Sequence, residues 1–347
     1  MKAGILYKKN DIKWADMEEP QIKDGHVKIS VKMCGICGSD IPRVNKGTAH
    51  YFPIVLGHEF SGIVTETGNN VNNIKVGDHV SVAPLLPCYE CIDCKNGNYS
   101  LCKNYSFIGS RVQGGFAEYV VVPEKNVIKI SNKLSFKDGA MFEPATVAIH
   151  GIKCANYSNK DNVLIIGCGT IGAFTLQWLK YLGAKNITVF VIDNPGKELA
   201  KELGADYVFN TLEDDYKDKV KEITNNRGFD YVFDAVGANA TINQCFEYIG
   251  NKGTATLIGT PTSDITFTPK MWEMLNRKEF ILTGSWMSYS EPFPGEEWVM
   301  TKKAFEEGKL KVLPSMINKI YDCHNIDKAF EEYTKTLVSG RTIIEIK

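Results

Sequence analysis

The stretch NVLIIGCGTIG, residues Asn162–Gly172, restricts the fold more than any other part of the chain. An apolar run leads straight into a G-x-G-x-x-G pattern. The stretch TIGAFTLQWLKYLGA, apolar on one helical face and closed by Gly183, follows it. In that setting Gly167 permits the tight turn, Gly169 lets the backbone approach a pyrophosphate, and Gly172 lets strand and helix close up. The helix start at Thr170 and Ile171 offers free N–H groups and a positive dipole end to phosphates. A second apolar run, ITVFVID, ends in Asp193, twenty-one residues after Gly172. There a carboxylate accepts bonds from ribose hydroxyls and repels a 2′-phosphate, so NAD is expected over NADP. The competing role for Asp193 is to cap the turn DNPG.

From Asn162 onward, runs such as DYVFN, YVFDAVG, TATLIG and FILTGSW alternate with helical patterns. Alternating β and α units with apolar strands predict a doubly wound parallel sheet covered on both faces. The part before about Ile130 differs. HVKISVKMCGICG, GIVTETG, DHVSVAP and FAEYVVVPEKNVIKI read as short strands bounded by Gly, Asn and Pro, a mostly-β domain. Ser135 and Asp138, followed by an apolar face in SFKDGAMFEPATVAIHGI, predict a capped helix. Two domains are expected of 347 residues. We place them at 1–150 with 285–347, and at 151–284, with a cleft at their junction.

Forty basic residues against forty-one acidic ones leave a net charge of −1, without the basic face of a nucleic-acid or membrane-surface protein. No secretory signal or spanning apolar run is visible, so a reducing, cytoplasmic setting is expected. There, clustered cysteines point to metal. LLPCYECIDCKNGNYSLCKN carries Cys88, Cys91, Cys94 and Cys102 in the spacing C-x2-C-x2-C-x7-C. Four thiolates wrapped through turns suit a closed, structural zinc site. An iron–sulfur cluster is the competing ligand. A second metal with an open position is suggested by Cys37 in MCGICGSD and by His58 and Glu59 in VLGHEFSG. Each alone has a plainer role: Cys34 and Cys37 as a redox pair, His58 as a core ring.

CGICGSD, LGHEFSG, GDHV, the four-cysteine segment and GCGTIG occur in this order along the chain. The whole sequence thereby resembles the zinc-dependent medium-chain dehydrogenases. The resemblance implies a GroES-like, mostly-β catalytic domain joined to a Rossmann domain, one catalytic and one structural zinc per chain, and NAD. It implies that Cys37 and His58 bind catalytic zinc, with Glu59 and Glu143 as carboxylate ligands or holders of a bound water. Ser39 is the expected first step of a proton relay, against a plain turn hydroxyl. The relay departs from the family pattern at Pro42, where alcohol dehydrogenase relatives carry His. Lys197 falls one position short of the ribose-contacting Lys of many relatives.

LLPCYEC, FIGSRVQGGFAEY and GSWMSYSEPFPGEEW resemble the branch that oxidises phosphorylated sugar alcohols. A phosphate pocket needs cations, and Arg offers bidentate geometry. Arg43 and Arg111 are the candidates, with Lys46 and His50 behind them, against a role as solvated surface cations. Trp286 and Tyr289 are expected to wall the cleft, against a plain core role for Trp286. Unphosphorylated polyols or threonine are the alternative substrates, and a zinc-stabilised nucleotide-binding protein without turnover is the alternative class. The expected partner is a sugar-alcohol phosphate, without nucleic acid or membrane, and the resemblance implies a homodimer or homotetramer.

Overall fold

The computed structural model describes residues 1–158, 162–213, 215–335 and 340–347. They form two compact units, Met1–Glu143 with Ser288–Lys347, and Pro144–Met287.

The second unit is built on six strands in the order Tyr207–Asn210, Asn186–Val191, Asn162–Ile166, Phe229–Asp234, Ile249–Leu257 and Ile281–Gly284. Every neighbouring pair is parallel. Val163, Leu164 and Ile165 are wholly buried, as strands covered on both faces must be. In chain order the strands lie 3-2-1-4-5-6, so the order reverses beside the first strand, where ligands bind in such sheets. The Gly-rich turn leaves the carboxyl end of that strand and enters the helix Thr170–Tyr181.

The first unit carries a seven-stranded sheet along the order Val127–Lys129, His79–Val82, Glu59–Thr67, His26–Gly35, Arg341–Glu345 and Ile317–Asp322, with Tyr119–Pro123 also on His26–Gly35. Glu59–Thr67 runs antiparallel to His26–Gly35, with Gly35 opposite Glu59 and Val27 opposite Thr67. This register sets the exit of one strand against the entry of the next. Cys37 therefore faces His58 although twenty residues separate them. From the far end of the chain, Arg341–Glu345 pairs with the other edge of the same strand, Ile344 opposite Cys34.

The helix expected after Ser135 is two helices, Phe136–Ala140 and Phe142–Cys154. Ser135 and Asp138 form the capping box: Asp138 N donates to Ser135 Oγ at 3.2 Å and Ser135 N to Asp138 Oδ2 at 3.0 Å. The break at Met141 follows from Pro144, which has no N–H for the Ala140 carbonyl and whose ring would collide with it. The restart puts Glu143 in a first helical turn. Among the described residues no helix is long and apolar enough to cross a membrane.

Candidate active site

Cys37, His58 and Glu59 each present a donor atom, and these three atoms all lie within 4.8 Å of one another. Two glycines make room for them. A Cβ at Gly35 would run into the Glu59 carboxylate, and one at Gly57 would meet Cys34 Sγ at 2.7 Å and Phe116 N at 2.9 Å. His58 and Glu59 are buried, and His58 Nδ1 and Glu59 Oε2 have no hydrogen-bond partner. Burial pushes the Cys37 thiol up to about 11, and the Glu59 charge adds to this. The orphaned Glu59 oxygen beside a thiol that resists ionisation is what a divalent cation relieves. Sulfur, nitrogen and oxygen donors together suit zinc with a position left open.

Glu143 stands outside this trio but within its field. Burial raises its carboxyl to about 8, with Glu59 and Cys37 adding and His58 and Arg341 opposing. The geometry thus groups Glu59, rather than Glu143, with the thiol and imidazole.

Two residues to which sequence reasoning gave no role complete the surroundings. Asp40, fully buried, accepts from Cys37 N at 3.1 Å through Oδ2. Its Oδ1 lies 3.6 Å from His58 Nδ1 and 3.3 Å from Arg43 Nη1. A neutral imidazole that gives one nitrogen to a metal needs an acceptor for the N–H of the other, and Asp40 is the acceptor at hand. Arg341 pairs with Glu59 at 3.2 Å and donates to the Ile36 carbonyl at 2.8 Å. Burial works against its charge, but Glu59 and Cys37 outweigh this and hold the guanidinium ionised. Asp40 was legible as part of the CGSD pattern; Arg341 had no local signal.

Ser39 Oγ accepts from Arg43 Nη1 at 3.0 Å. Arg43 Nη1 is further bound by the Ser39 carbonyl at 2.6 Å. Arg111 stacks on the Tyr105 ring at 4.2 Å and gives Nη1 to the Tyr105 carbonyl at 3.2 Å. Burial, and then the charges of Arg111 and Arg43, lower the pKa of His50. Trp286 belongs to the other unit and is 49% exposed, which excludes a core role; Tyr289 is buried.

The sulfurs of Cys88, Cys91, Cys94 and Cys102 also gather within 4.8 Å of one another. Cys88 Sγ is 4.0 Å from Cys94 Sγ and 3.5 Å from Cys102 Sγ. A tetrahedral zinc with Zn–S bonds of ~2.3 Å spaces its sulfurs ~3.8 Å apart, whereas a disulfide needs ~2.05 Å. A cluster of several irons would hold them wider. Backbone N–H groups lead in drawing Cys91 down to about 6, while burial lifts Cys94 to about 12. A single cation inside the shell favours all four thiolates.

In the other unit Gly167 has φ +89°, a conformation that favours glycine, and a Cβ on Gly172 would overlap the Gly167 carbonyl. Nothing lies within 4 Å of a Cβ placed on Gly169, so that face of the turn is open to a ligand. Asp193 caps the helix Asn194–Glu202, its Oδ1 accepting from Gly196 N at 2.6 Å. The capping role weighed for Asp193 is therefore real, and it leaves Oδ2 for a ribose.

By fold and donor chemistry this is a two-domain, zinc-dependent dehydrogenase. Residues 23–132 match the alcohol dehydrogenase GroES-like domain and residues 170–302 the zinc-binding dehydrogenase domain. The chain is 38% identical over 345 residues to galactitol 1-phosphate 5-dehydrogenase of Escherichia coli strain K12, covering 99% of each. It is 31% identical over 269 residues to sorbitol dehydrogenase of Bacillus subtilis strain 168, covering 76% of each. The crystal structure of galactitol-1-phosphate dehydrogenase from Escherichia coli superposes with a TM-score of 0.94 at 36% identity, covering 99% of this chain and 100% of that one. The chain belongs to the zinc-type medium-chain alcohol dehydrogenase family. It is an NAD-dependent alcohol or polyol dehydrogenase that uses zinc.

Proposed function

We propose that the protein oxidises C5 of galactitol 1-phosphate to give tagatose 6-phosphate in the cytoplasm, with NAD as acceptor. Arg43 and Arg111, which both act on His50 in the unit that holds the Cys37 turn, support this substrate, because a phosphorylated polyol can use their charge. The full-length similarity to a dehydrogenase named for galactitol 1-phosphate supports it independently.

Cys37, His58 and Glu59 hold the catalytic zinc in this proposal, and Cys88, Cys91, Cys94 and Cys102 the structural one. When bound, zinc makes an alcohol hydroxyl acidic near neutral pH and NAD takes up the hydride. Asp40 fixes the His58 ring, and Arg341 fixes Glu59. Ser39 receives the alcohol proton on Oγ as it gives its own hydroxyl proton to water, while Arg43 donates to the same Oγ and holds it in place. Gly167, Gly169, Gly172 and the N–H groups of Thr170 and Ile171 seat the pyrophosphate. Asp193 Oδ2 binds the ribose. Met1–Glu143 with Ser288–Lys347 is the catalytic domain, and Pro144–Met287 the NAD-binding domain.

A panel of alcohols read at 340 nm, before and after chelation, tests the assignment. Galactitol 1-phosphate is expected to be the fastest substrate, and a faster unphosphorylated polyol or threonine contradicts the substrate. Charge-assisted bonds of ~1.5–3 kcal/mol set the scale for the cations. Arg111→Ala should lower kcat/KM on galactitol 1-phosphate by ~10- to 100-fold and change it less than about twofold on galactitol. An equal loss on both alcohols would remove Arg111 from a phosphate site. One observation favours an unphosphorylated polyol as second reading: Arg43 and Arg111 each spend one Nη on local oxygens.

The strand Ile281–Gly284 ends the six-stranded sheet with Ile281 60% exposed, which supports a homo-oligomer paired through this edge. Light scattering is expected to give a dimer or tetramer mass, and a monomer mass contradicts it.

A further inference from the structure

Outside the two sites above, one more group of metal-binding side chains comes together among the described residues. Asp322, Cys323 and His324 follow one another where the strand Ile317–Asp322 ends, just before the helix Ile326–Lys335. One donor atom from each lies within 4.8 Å of the other two. His324 Nδ1 is 3.6 Å from Cys323 Sγ and 2.7 Å from Asp322 Oδ1, and Cys323 Sγ is 3.8 Å from that same oxygen.

A zinc tetrahedron sets the scale for these edges. Bonds of ~2.3 Å to sulfur and ~2.0–2.1 Å to nitrogen and oxygen place the sulfur about 3.6 Å from each lighter donor. The two edges that include Cys323 Sγ already fit. The nitrogen-to-oxygen edge is a hydrogen bond and has to open by about 0.6 Å to reach its tetrahedral length. A small turn of the His324 ring supplies that, because its side chain is 63% exposed.

Neighbouring groups hold the donors in this arrangement. His324 N donates to Asp322 Oδ1 at 3.0 Å. Lys347 Nζ pairs with the other carboxylate oxygen, Oδ2, at 2.7 Å, so Oδ1 is the one turned to the imidazole. The His324 ring packs on Trp14, with centroids 6.1 Å apart. Cys323 is buried, so an ion here rests on an enclosed sulfur and is reached from solvent past the ring. A turn capped by Asp322 needs neither a thiol nor an imidazole at the next two positions, still less both aimed at one carboxylate oxygen.

We propose that Asp322 Oδ1, Cys323 Sγ and His324 Nδ1 form a third metal site, which takes a divalent cation of the zinc type with water as the fourth ligand. The thiol gives its proton to solvent as the ion binds, and the imidazole keeps its own on Nε2. Three donors on an exposed turn hold an ion far less tightly than four thiolates do. The protein purified without added zinc therefore carries only the two ions assigned above, and this site fills when zinc is supplied. A bound ion fastens the end of Ile317–Asp322 to the turn that starts the next helix. That strand pairs with Arg341–Glu345, so the ion braces the strand that brings in Arg341.

The probe is Zn2+ added to enzyme dialysed to two zinc ions per chain. Equilibrium dialysis with metal analysis by mass spectrometry should show a third zinc with a Kd of about 10 µM. At ten times that concentration the Tm of the wild type should rise by about 3 °C. His324→Ala alters an exposed side chain and should leave the fold, the two tight zinc ions and the kcat without added zinc as they are. It should weaken the third site at least ~10-fold and cut the rise in Tm to about 1 °C or less. Cys323→Ser should weaken the site at least as much. A wild type that takes up no third zinc at about 100 times the expected Kd overturns the proposal. A third zinc bound equally well by both variants lies elsewhere on the surface and also overturns it. So does a loss confined to Cys323→Ser, which would mark a thiol acting without the imidazole. None of these results touches the dehydrogenase assignment, which the alcohol panel tests separately.

Discussion

Cys37→Ser should yield a protein with one tightly held zinc per chain instead of two and at least about a thousandfold lower kcat. A hydroxyl is a far poorer ligand than a thiolate, and the remaining partners, His58 and Glu59, are too few to hold the ion. The fold should survive, because Cys37 lies in the turn after His26–Gly35 rather than in the buried core, and its backbone N–H keeps its bond to Asp40. Metal analysis by mass spectrometry together with NADH formation reads both effects. Two zinc ions per chain with an undiminished rate would show that chemistry does not pass through this side chain.

Arg341→Ala should cost ~3–5 kcal/mol, because it strands a buried carboxylate. Glu59 is 1% exposed at its side chain and Arg341 7%, and the pair is 3.2 Å apart. With the guanidinium gone, Glu59 would face the Cys37 thiolate and Asp40 without a compensating cation of the chain, and the Ile36 carbonyl would lose its donor. Calorimetry should show the first unfolding transition lowered on the order of 10 °C. Arg341→Lys should recover only part of this, since one ammonium cannot serve Glu59 and Ile36 with the same fork. A transition within about 2 °C of wild type would mean that the pair contributes nothing to holding the site.

The difference between these two residues explains what could be seen in the sequence. Cys88, Cys91, Cys94 and Cys102 fall within fifteen positions, so their meeting needs only local turns, and spacing alone announces it. The Gly167–Gly169–Gly172 turn is equally local, because a strand, a turn and a helix in succession build the whole cradle. Cys37 and His58 are linked by strand register, so residue chemistry suggests them as ligands and only the resemblance ties them to one site. Arg341 reaches the site only because Arg341–Glu345 pairs with His26–Gly35, some three hundred residues away in the chain. No period or spacing encodes that pairing.

Where one residue can serve two roles, local sequence does not choose between them. Pro144 sits inside the apolar pattern of a single helix, yet its missing N–H requires the break at Met141. Asp193 suits either a ribose or a turn, and its Oδ1 caps a helix. Tyr289 is expected to wall a cleft, and its side chain is buried.

The most direct test of the metal assignment is an anomalous difference map collected at the zinc absorption edge from crystals of the fully metallated protein. Two peaks per chain are expected. One should be enclosed by the sulfurs of Cys88, Cys91, Cys94 and Cys102, and the other should touch Cys37 Sγ, a ring nitrogen of His58 and a carboxylate oxygen. A map with the first peak and nothing between Cys37 and His58 would contradict a zinc-dependent oxidation at this site.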